Sequence, residues 1–186
     1  MKIIGGEYRG RNFYMPADIR PTQNMARKAV FDLLGQDLTG LTFLDLFAGS
    51  GAVGLEALSR GASKVTFVER DPKFAGIIEK NLGIFGFDLA KGDQRVELIA
   101  ADGLATVKAL ARQGRTFDIV FFDPPYGMGL VKKSLKTLTG YDILPPKSHL
   151  VIEHSHAEIL PDLEGRFSIV KQKRYGKTLL SVCESL

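Results

Sequence analysis

The sequence predicts an α/β fold: a mostly parallel seven-stranded sheet that ends in an antiparallel hairpin, preceded by a small N-terminal β-hairpin extension. Three observations carry that reading. From Thr42 onward, short apolar runs alternate with helix-length amphipathic stretches, which is the pattern of βαβ units whose strands are buried on both faces. The last two apolar runs are separated only by the short turn 174–177, and so brief a link forces antiparallel pairing, since a parallel return needs a longer crossover. Residues 2–4 and 12–14 flank the turn Gly5-Gly6-Glu7-Tyr8-Arg9-Gly10, and apolar segments around such a turn read as a hairpin or arm.

The elements follow in order. Pro21 and Thr22 form a helix-start signal, and Ala29, Val30, Leu33 and Leu34 give the apolar stripe of that helix. Strands are expected at 43–47, 64–69, 96–100 and 117–122, separated by helices near 52–60, 73–85 and 103–112. A helix at 130–138, a strand at 149–153 and the paired strands 166–173 and 178–184 complete the chain. With 186 residues, no repeat and no linker-like tract, one domain is expected, with 1–20 as the arm and 21–186 as the core.

Bulk properties remove several classes. No apolar run approaches membrane-spanning length. Glycines and charge interrupt the first residues too early for a signal-peptide core, so a cytoplasmic protein is expected. Cys183 is the sole cysteine, which excludes an intrachain disulfide and a zinc-binding cysteine cluster. His154 and His156 are expected to share one side of a strand end, but with no third ligand nearby no metal site is expected. Charge is unevenly spread: residues 1–35 carry +3 and residues 166–177 carry +5, against −4 in the remainder. Basic material at both ends of a neutral-to-acidic body suggests a rim for a polyanion, with two solvated loops as the alternative.

The first expected strand runs through Asp45 into Phe47-Ala48-Gly49-Ser50-Gly51-Ala52-Val53-Gly54 and then a helix. Glycines let the backbone approach a ligand closely, and a helix N-terminus offers free amide donors. The spacing of Gly49, Gly51 and Gly54 also fits a dinucleotide-binding loop, with an acid, Glu69, about 20 positions on. Asp45 argues against that, because a carboxylate here repels a pyrophosphate and attracts a cationic amine. S-adenosylmethionine (SAM) carries an α-ammonium and no phosphate. Glu69, ending the next strand, can accept from ribose hydroxyls. Asp102, ending the third, can accept from an adenine amino group or cap the following helix.

The fourth strand ends in Asp123-Pro124-Pro125-Tyr126-Gly127. Consecutive prolines fix φ and supply no amide donors, so the carbonyls beside them stay available as rigid acceptors. An exocyclic amine on an aromatic ring is a poor nucleophile because its lone pair is delocalised. The Asp123 carboxylate and Pro124 carbonyl can hold its two N–H bonds and favour a pyramidal nitrogen, while Tyr126 stacks on the base. No strong base is needed. The alternative is an ordinary turn after a buried strand.

Taken together, these residues resemble the class I SAM-dependent methyltransferases, in particular the branch whose motif is Asp/Asn-Pro-Pro-aromatic. When Gly5 to Arg11, Arg20-Pro21-Thr22, Glu56 to Ala62 and Tyr175-Gly176 are added, nearly the whole chain resembles the bacterial 16S rRNA guanine-N(2) methyltransferase family. Tyr8 stands where that family often has tryptophan. The resemblance implies a Rossmann-like class I methyltransferase fold. It implies cofactor contacts from Asp45, Phe47, Ala48, Gly49, Ser50, Gly51, Glu69, Arg70, Asp102 and Thr22, with S-adenosylhomocysteine as product, and target contacts from Asp123, Pro124, Pro125 and Tyr126. Arg9, Arg11 and Arg20 are expected to help seat RNA, and the basic tail adds Lys171, Lys173 and Arg174. The expected substrate is a guanine of 16S rRNA within the small ribosomal subunit or its assembly intermediate, and a monomer is expected.

Adenine-N(6) methylation of DNA or another RNA uses the same motif, although DNA enzymes commonly add a recognition region. Protein glutamine methylation usually follows Asn-Pro-Pro-Tyr. A non-catalytic RNA-binding or assembly factor is the reading from a different class, and the intact Asp123 and glycine loop speak against it. Phe47, Phe67, Phe121 and Phe122 also read as core residues, and Arg60 as complementing a helix dipole.

Overall fold

In a computed structural model of the chain, residues 1–16, 22–124, 130–158, 160 and 166–186 are described, the side chains of 22–24 excepted. The elements are α1 (Thr22–Leu34), β1 (Thr42–Leu46), α2 (Ala52–Ser59), β2 (Lys64–Val68), α3 (Pro72–Ile84), β3 (Val96–Ile99), α4 (Gly103–Arg112), β4 (Ile119–Phe122), α5 (Leu130–Gly140), β5 (His149–Ser155), β6 (Phe167–Tyr175) and β7 (Thr178–Ser185). They form one seven-stranded sheet in the order β3-β2-β1-β4-β5-β7-β6. All neighbours are parallel except β7, which runs antiparallel to both β5 and β6.

Alternation along the strands divides the core between two faces. Phe43, Phe67, Phe121 and Val151 pack with Val30 and Phe31 of α1, Leu55 and Leu58 of α2, and Ile78 and Leu82 of α3. Leu44, Leu46, Val120, Phe122, Leu150 and Ile152 pack with Val107 and Leu110 of α4, and Val131, Leu135 and Leu138 of α5. Both faces are covered, which explains why the central strands read as continuous apolar runs. β1 pairs with β2 on one side and β4 on the other. Strand order therefore reverses between β1 and β4, and ligands of open α/β sheets bind outside the carboxyl ends at such a point.

Three expectations need correction. The N-terminal segments 2–4 and 12–14 do pair antiparallel, with the Ile3 amide donating to the Arg11 carbonyl and the Phe13 amide to the Met1 carbonyl, but the pairing is shorter than expected, a single bridge between Lys2 and Asn12, and the turn side of the arm bonds to α2. The amides of Ile4 and Gly5 donate to the Glu56 carboxylate, at 3.0 and 2.7 Å, and the Tyr8 amide donates to Ser59 Oγ at 2.9 Å. Gly6 lies so close that a Cβ there would sit 1.8 Å from the Ser59 carbonyl oxygen. Arg60, read as a helix-dipole partner, is instead buried and ion-paired with Glu56 at 2.8 Å, its guanidinium over the Phe31 ring. His156 lies beyond the end of β5 and is exposed, whereas His154 is buried. The two do not share a face.

Candidate active site at the carboxyl edge of the sheet

β1 hands the chain to α2 through a loop of left-handed residues: Phe47 at φ 65°, Gly49 at 54° and Gly51 at 77°. For Phe47 that conformation is strained, and such strain persists only where the surroundings impose it. Its ring covers Gly103 at the start of α4, where a Cβ would come within 3.1 Å of it. Gly54 is required by contact, since a Cβ there would lie 2.2 Å from the Phe67 ring. Its amide donates to the Asp45 carboxylate at 2.9 Å. The loop is also held from outside: buried Asn81 of α3 donates to the Ser50 carbonyl at 3.2 Å and exchanges hydrogen bonds with the Tyr14 backbone at 2.8 and 2.9 Å. Sequence reading missed Asn81, whose partners lie 31 and 67 residues away.

The acids stand where the strands end. Asp45 is 1% exposed, and its carboxyl is pushed up to about 7, first by burial, with the Gly54 amide opposing and the Glu69 charge adding to the rise. Glu69 accepts from the amides of Gly49 and Asp71, both at 2.8 Å, and a carboxylate with two acceptor oxygens retains lone pairs for hydroxyl donors. Asp102 caps α4, accepting from the Ala105 amide at 3.0 Å. The capping reading thus describes its present bond, and the residue also faces the cavity. Asp123 is half-buried. Desolvation holds its carboxyl well above the ordinary carboxylate range, with the Glu153 and Asp45 charges adding to the rise.

One cavity of about 820 Å³ gathers these groups. Asp45, Phe47, Ala48, Gly49, Ser50, Glu69, Arg70, Asp102, Asp123 and Pro124 all line it. Gly51 does not, and its place is at the N-cap of α2. Thr22 opens α1, but its side chain is among those not described. Arg20, Pro21, Pro125 and Tyr126 lie outside the described residues. Phe121, read as core, is buried and also contributes to the wall. Residues not foreseen line it too: Glu153 of β5, just past that strand's pairing with β4, and Lys108 of α4 and Lys133 of α5, both exposed. Buried Asp45 and Glu69 line its depth, and the exposed Lys108 and Lys133 stand at its rim.

The expected RNA contacts are more scattered. Arg9 is exposed on the arm's turn, beside the C-terminal end of α2. The glycine loop lies at the other end of that helix, about 12 Å away at 1.5 Å per residue. Arg11 lies over the rings of Tyr8 and Phe85 at 5.4 and 5.1 Å and donates to the Ile84 carbonyl. Lys171, Lys173 and Arg174 belong to β6, the exposed outer strand, rather than to a loop. The Lys171 ammonium donates to the Leu33 carbonyl at 2.7 Å. Lysines on an edge strand also discourage strand addition. Buried His154 donates from Nδ1 to the Ser155 carbonyl at 3.0 Å and pairs through Nε2 with Ser181 Oγ at 2.9 Å. Among the described residues, no group of three or more potential ligands is placed to hold a metal, and no helix is long and apolar enough to cross a membrane.

The family model described as Conserved hypothetical protein 95 matches residues 1–184. The chain is 34% identical over 179 residues to Ribosomal RNA small subunit methyltransferase D of Escherichia coli (strain K12), covering 95% of this chain and 86% of that one. To the protein of the same name from Haemophilus influenzae it is 33% identical over 178 residues, covering 95% and 89%. Among solved structures, a hypothetical protein of Thermus thermophilus superposes with a TM-score of 0.83 at 30% identity, covering 99% of both chains.

Proposed function

The chain belongs to the Conserved hypothetical protein 95 family, and from that premise we propose that it methylates the exocyclic N2 amine of a guanine in small-subunit ribosomal RNA, using SAM. The observation that carries this reading is the single cavity in which Asp45 and Asp123 meet at the point where strand order reverses. The relatives named for small-subunit rRNA methylation support the choice of substrate. A cytoplasmic, monomeric, single-domain enzyme acting without a metal, on the rRNA of the subunit or its assembly intermediate, completes the reading.

The residues present fit SAM. A cavity of about 820 Å³ lies within the usual range for small-molecule sites, and its buried acid is complementary to a cation. When bound, SAM supplies a methyl group on a sulfonium centre. Asp45 holds the α-ammonium, Glu69 takes the ribose hydroxyls, and Asp102, with its remaining acceptor capacity, takes the adenine amine. Asp123 and the Pro124 carbonyl fix the two N–H bonds of the target amine, turning its lone pair toward the methyl. The methylated nitrogen then releases a proton to Asp123 or water. Lys108 and Lys133 at the rim suit the phosphates flanking the base. The basic outer strand β6 lies three strand spacings from β4, about 14 Å, a reach that suits a folded RNA substrate.

Burial of Asp45 makes cofactor affinity depend on pH. With its carboxyl at about 7, a cation binding below that pH must displace a proton, so SAM affinity should rise about tenfold per unit between pH 5 and 7. For the unliganded protein the sign is reversed. The unfolded chain releases this proton first, so stability falls as pH rises from the ordinary carboxylate range through about 7. Calorimetric titration with SAM at pH 5, 6 and 7 measures the slope. Asp45→Asn should flatten it, and an unchanged slope in that variant would remove Asp45 from the ammonium site.

The function itself is tested by incubating the protein with labelled SAM and, in parallel, unmethylated small subunits, free 16S rRNA and DNA, followed by nucleoside analysis. N2-methylguanosine from the rRNA is the expected product. Label in adenine, in DNA or in nothing would replace this reading.

A further inference from the structure

β4 and β5 run parallel with Phe121 opposite Val151 and Phe122 opposite Ile152. One residue further along stand Asp123, just past the end of β4, and Glu153 of β5, about one strand spacing of 4.8 Å apart. Side chains alternate between the sheet's faces, so both belong to the Phe121 side. Phe121, Asp123, Pro124 and Glu153 all line the same cavity. Electrostatics agrees with the geometry, since the Glu153 charge contributes to the rise of the Asp123 carboxyl. On the other side of Asp123, Phe121 is in register with Asp45 of β1. Across the cavity floor the acids therefore run Asp45, Asp123, Glu153. A base whose amine is held at Asp123 and turned toward the Asp45 side must lay the rest of its ring toward β5.

We propose that Glu153 is the residue that reads the base, its carboxylate accepting the N1–H of guanine beside the amine held by Asp123 and Pro124. The assignment rests on the proposed methylation of a base amine. Guanine presents N1–H and N2–H2 as adjacent donors along its Watson–Crick edge, and two carboxylates side by side complement them. Adenine presents a bare N1 lone pair next to its amine. A carboxylate facing that lone pair repels it and gains no hydrogen bond from the base, and a site built to accept from a donor discriminates strongly against the analogue that lacks it. The same reasoning applies to 2-aminopurine, which keeps the methyl-accepting amine of guanine but has a lone pair at N1.

The test compares guanine with 2-aminopurine at the methylated position of an RNA, or of a particle reconstituted with it, that the wild-type protein modifies. The wild type should favour guanine in kcat/KM by about 100-fold or more. Glu153→Gln should narrow that ratio at least tenfold, because its amide N–H can donate to the bare N1. Glu153→Asp, which keeps the carboxylate, should preserve the preference. Each ratio is taken on a single preparation, so a reduced folded fraction cancels. Should turnover be too slow to measure, the ratio of equilibrium affinities for the two RNAs with S-adenosylhomocysteine present distinguishes the same outcomes. An unchanged ratio in Glu153→Gln overturns the assignment while leaving the reaction intact, whereas a wild-type protein that never methylates guanine overturns the reaction itself.

Discussion

Asp123→Ala binds SAM within about tenfold of the wild type, about 1.4 kcal/mol, and transfers its methyl on the order of 1000-fold more slowly. The size follows from what is lost. An acceptor aimed at charge developing in the transition state contributes roughly 100- to 1000-fold, and Asp123 also helps to hold the amine in line, where small misplacements cost about 100-fold. A residue acting only in the transition state lowers kcat and kcat/KM together. Loss of fold is not the cause to expect, because Asp123 is a desolvated acid beside the Glu153 and Asp45 charges, and removing it relieves repulsion. Asp123→Asn separates the roles: it keeps an acceptor oxygen without the charge, so it should lose less than the alanine variant. Single-turnover transfer and SAM titration on the same preparations decide the matter. Wild-type turnover in Asp123→Ala would remove the catalytic assignment.

The sheet was legible because both of its faces are covered, so strands such as β4, with the sequence Ile-Val-Phe-Phe, needed no alternation to be recognised. The glycine loop and the acids at strand ends were legible for a related reason: a parallel strand delivers its last residue to the ligand edge. Asp45, Glu69 and Asp102 follow that rule. Glu153 reaches the same edge although β5 runs on to Ser155, because its pairing with β4 stops at Ile152, and it was missed because the neighbouring His154 and His156 dominate the chemistry of that stretch. What sequence could not show is pairing over long distances. Gly5-Gly6 read as a turn, yet their close approach is to Ser59 and Arg60. Arg27 was counted among the basic charges of the arm region, yet it is 2% exposed and lies 3.6 Å from Glu56. No local pattern marks such a charge as internal.

Glu56→Gln is expected to be the most destabilising single change in the N-terminal half. Glu56 is fully buried, and its ion-pair partners Arg27 and Arg60 are buried with it. Burial already pulls the Arg27 guanidinium below its usual range, and the Glu56 charge opposes this. A buried pair adds little over a well-packed apolar replacement, but removing one partner strands the other in a medium that cannot solvate it, at about 3–5 kcal/mol. Here two guanidinium groups face one carboxylate while Arg27 keeps its hydrogen bond to the Lys2 carbonyl, so a loss within that range is expected. For a chain of this length the midpoint should fall by on the order of 10 °C. Stability is not the whole effect, because the same carboxylate takes the Ile4 and Gly5 amides. Hydrogen exchange at those amides should accelerate ahead of global unfolding, as the arm loosens from α2 before the sheet opens. The consequence reaches the site, since Met1 and Arg27 both line the 820 Å³ cavity. Thermal melts with amide exchange on Glu56→Gln measure both effects. A loss under about 1 kcal/mol with Ile4 and Gly5 still protected would mean that the arm is held by its apolar contacts, Ile3, Tyr8 and Phe13 in the core, rather than by this charge.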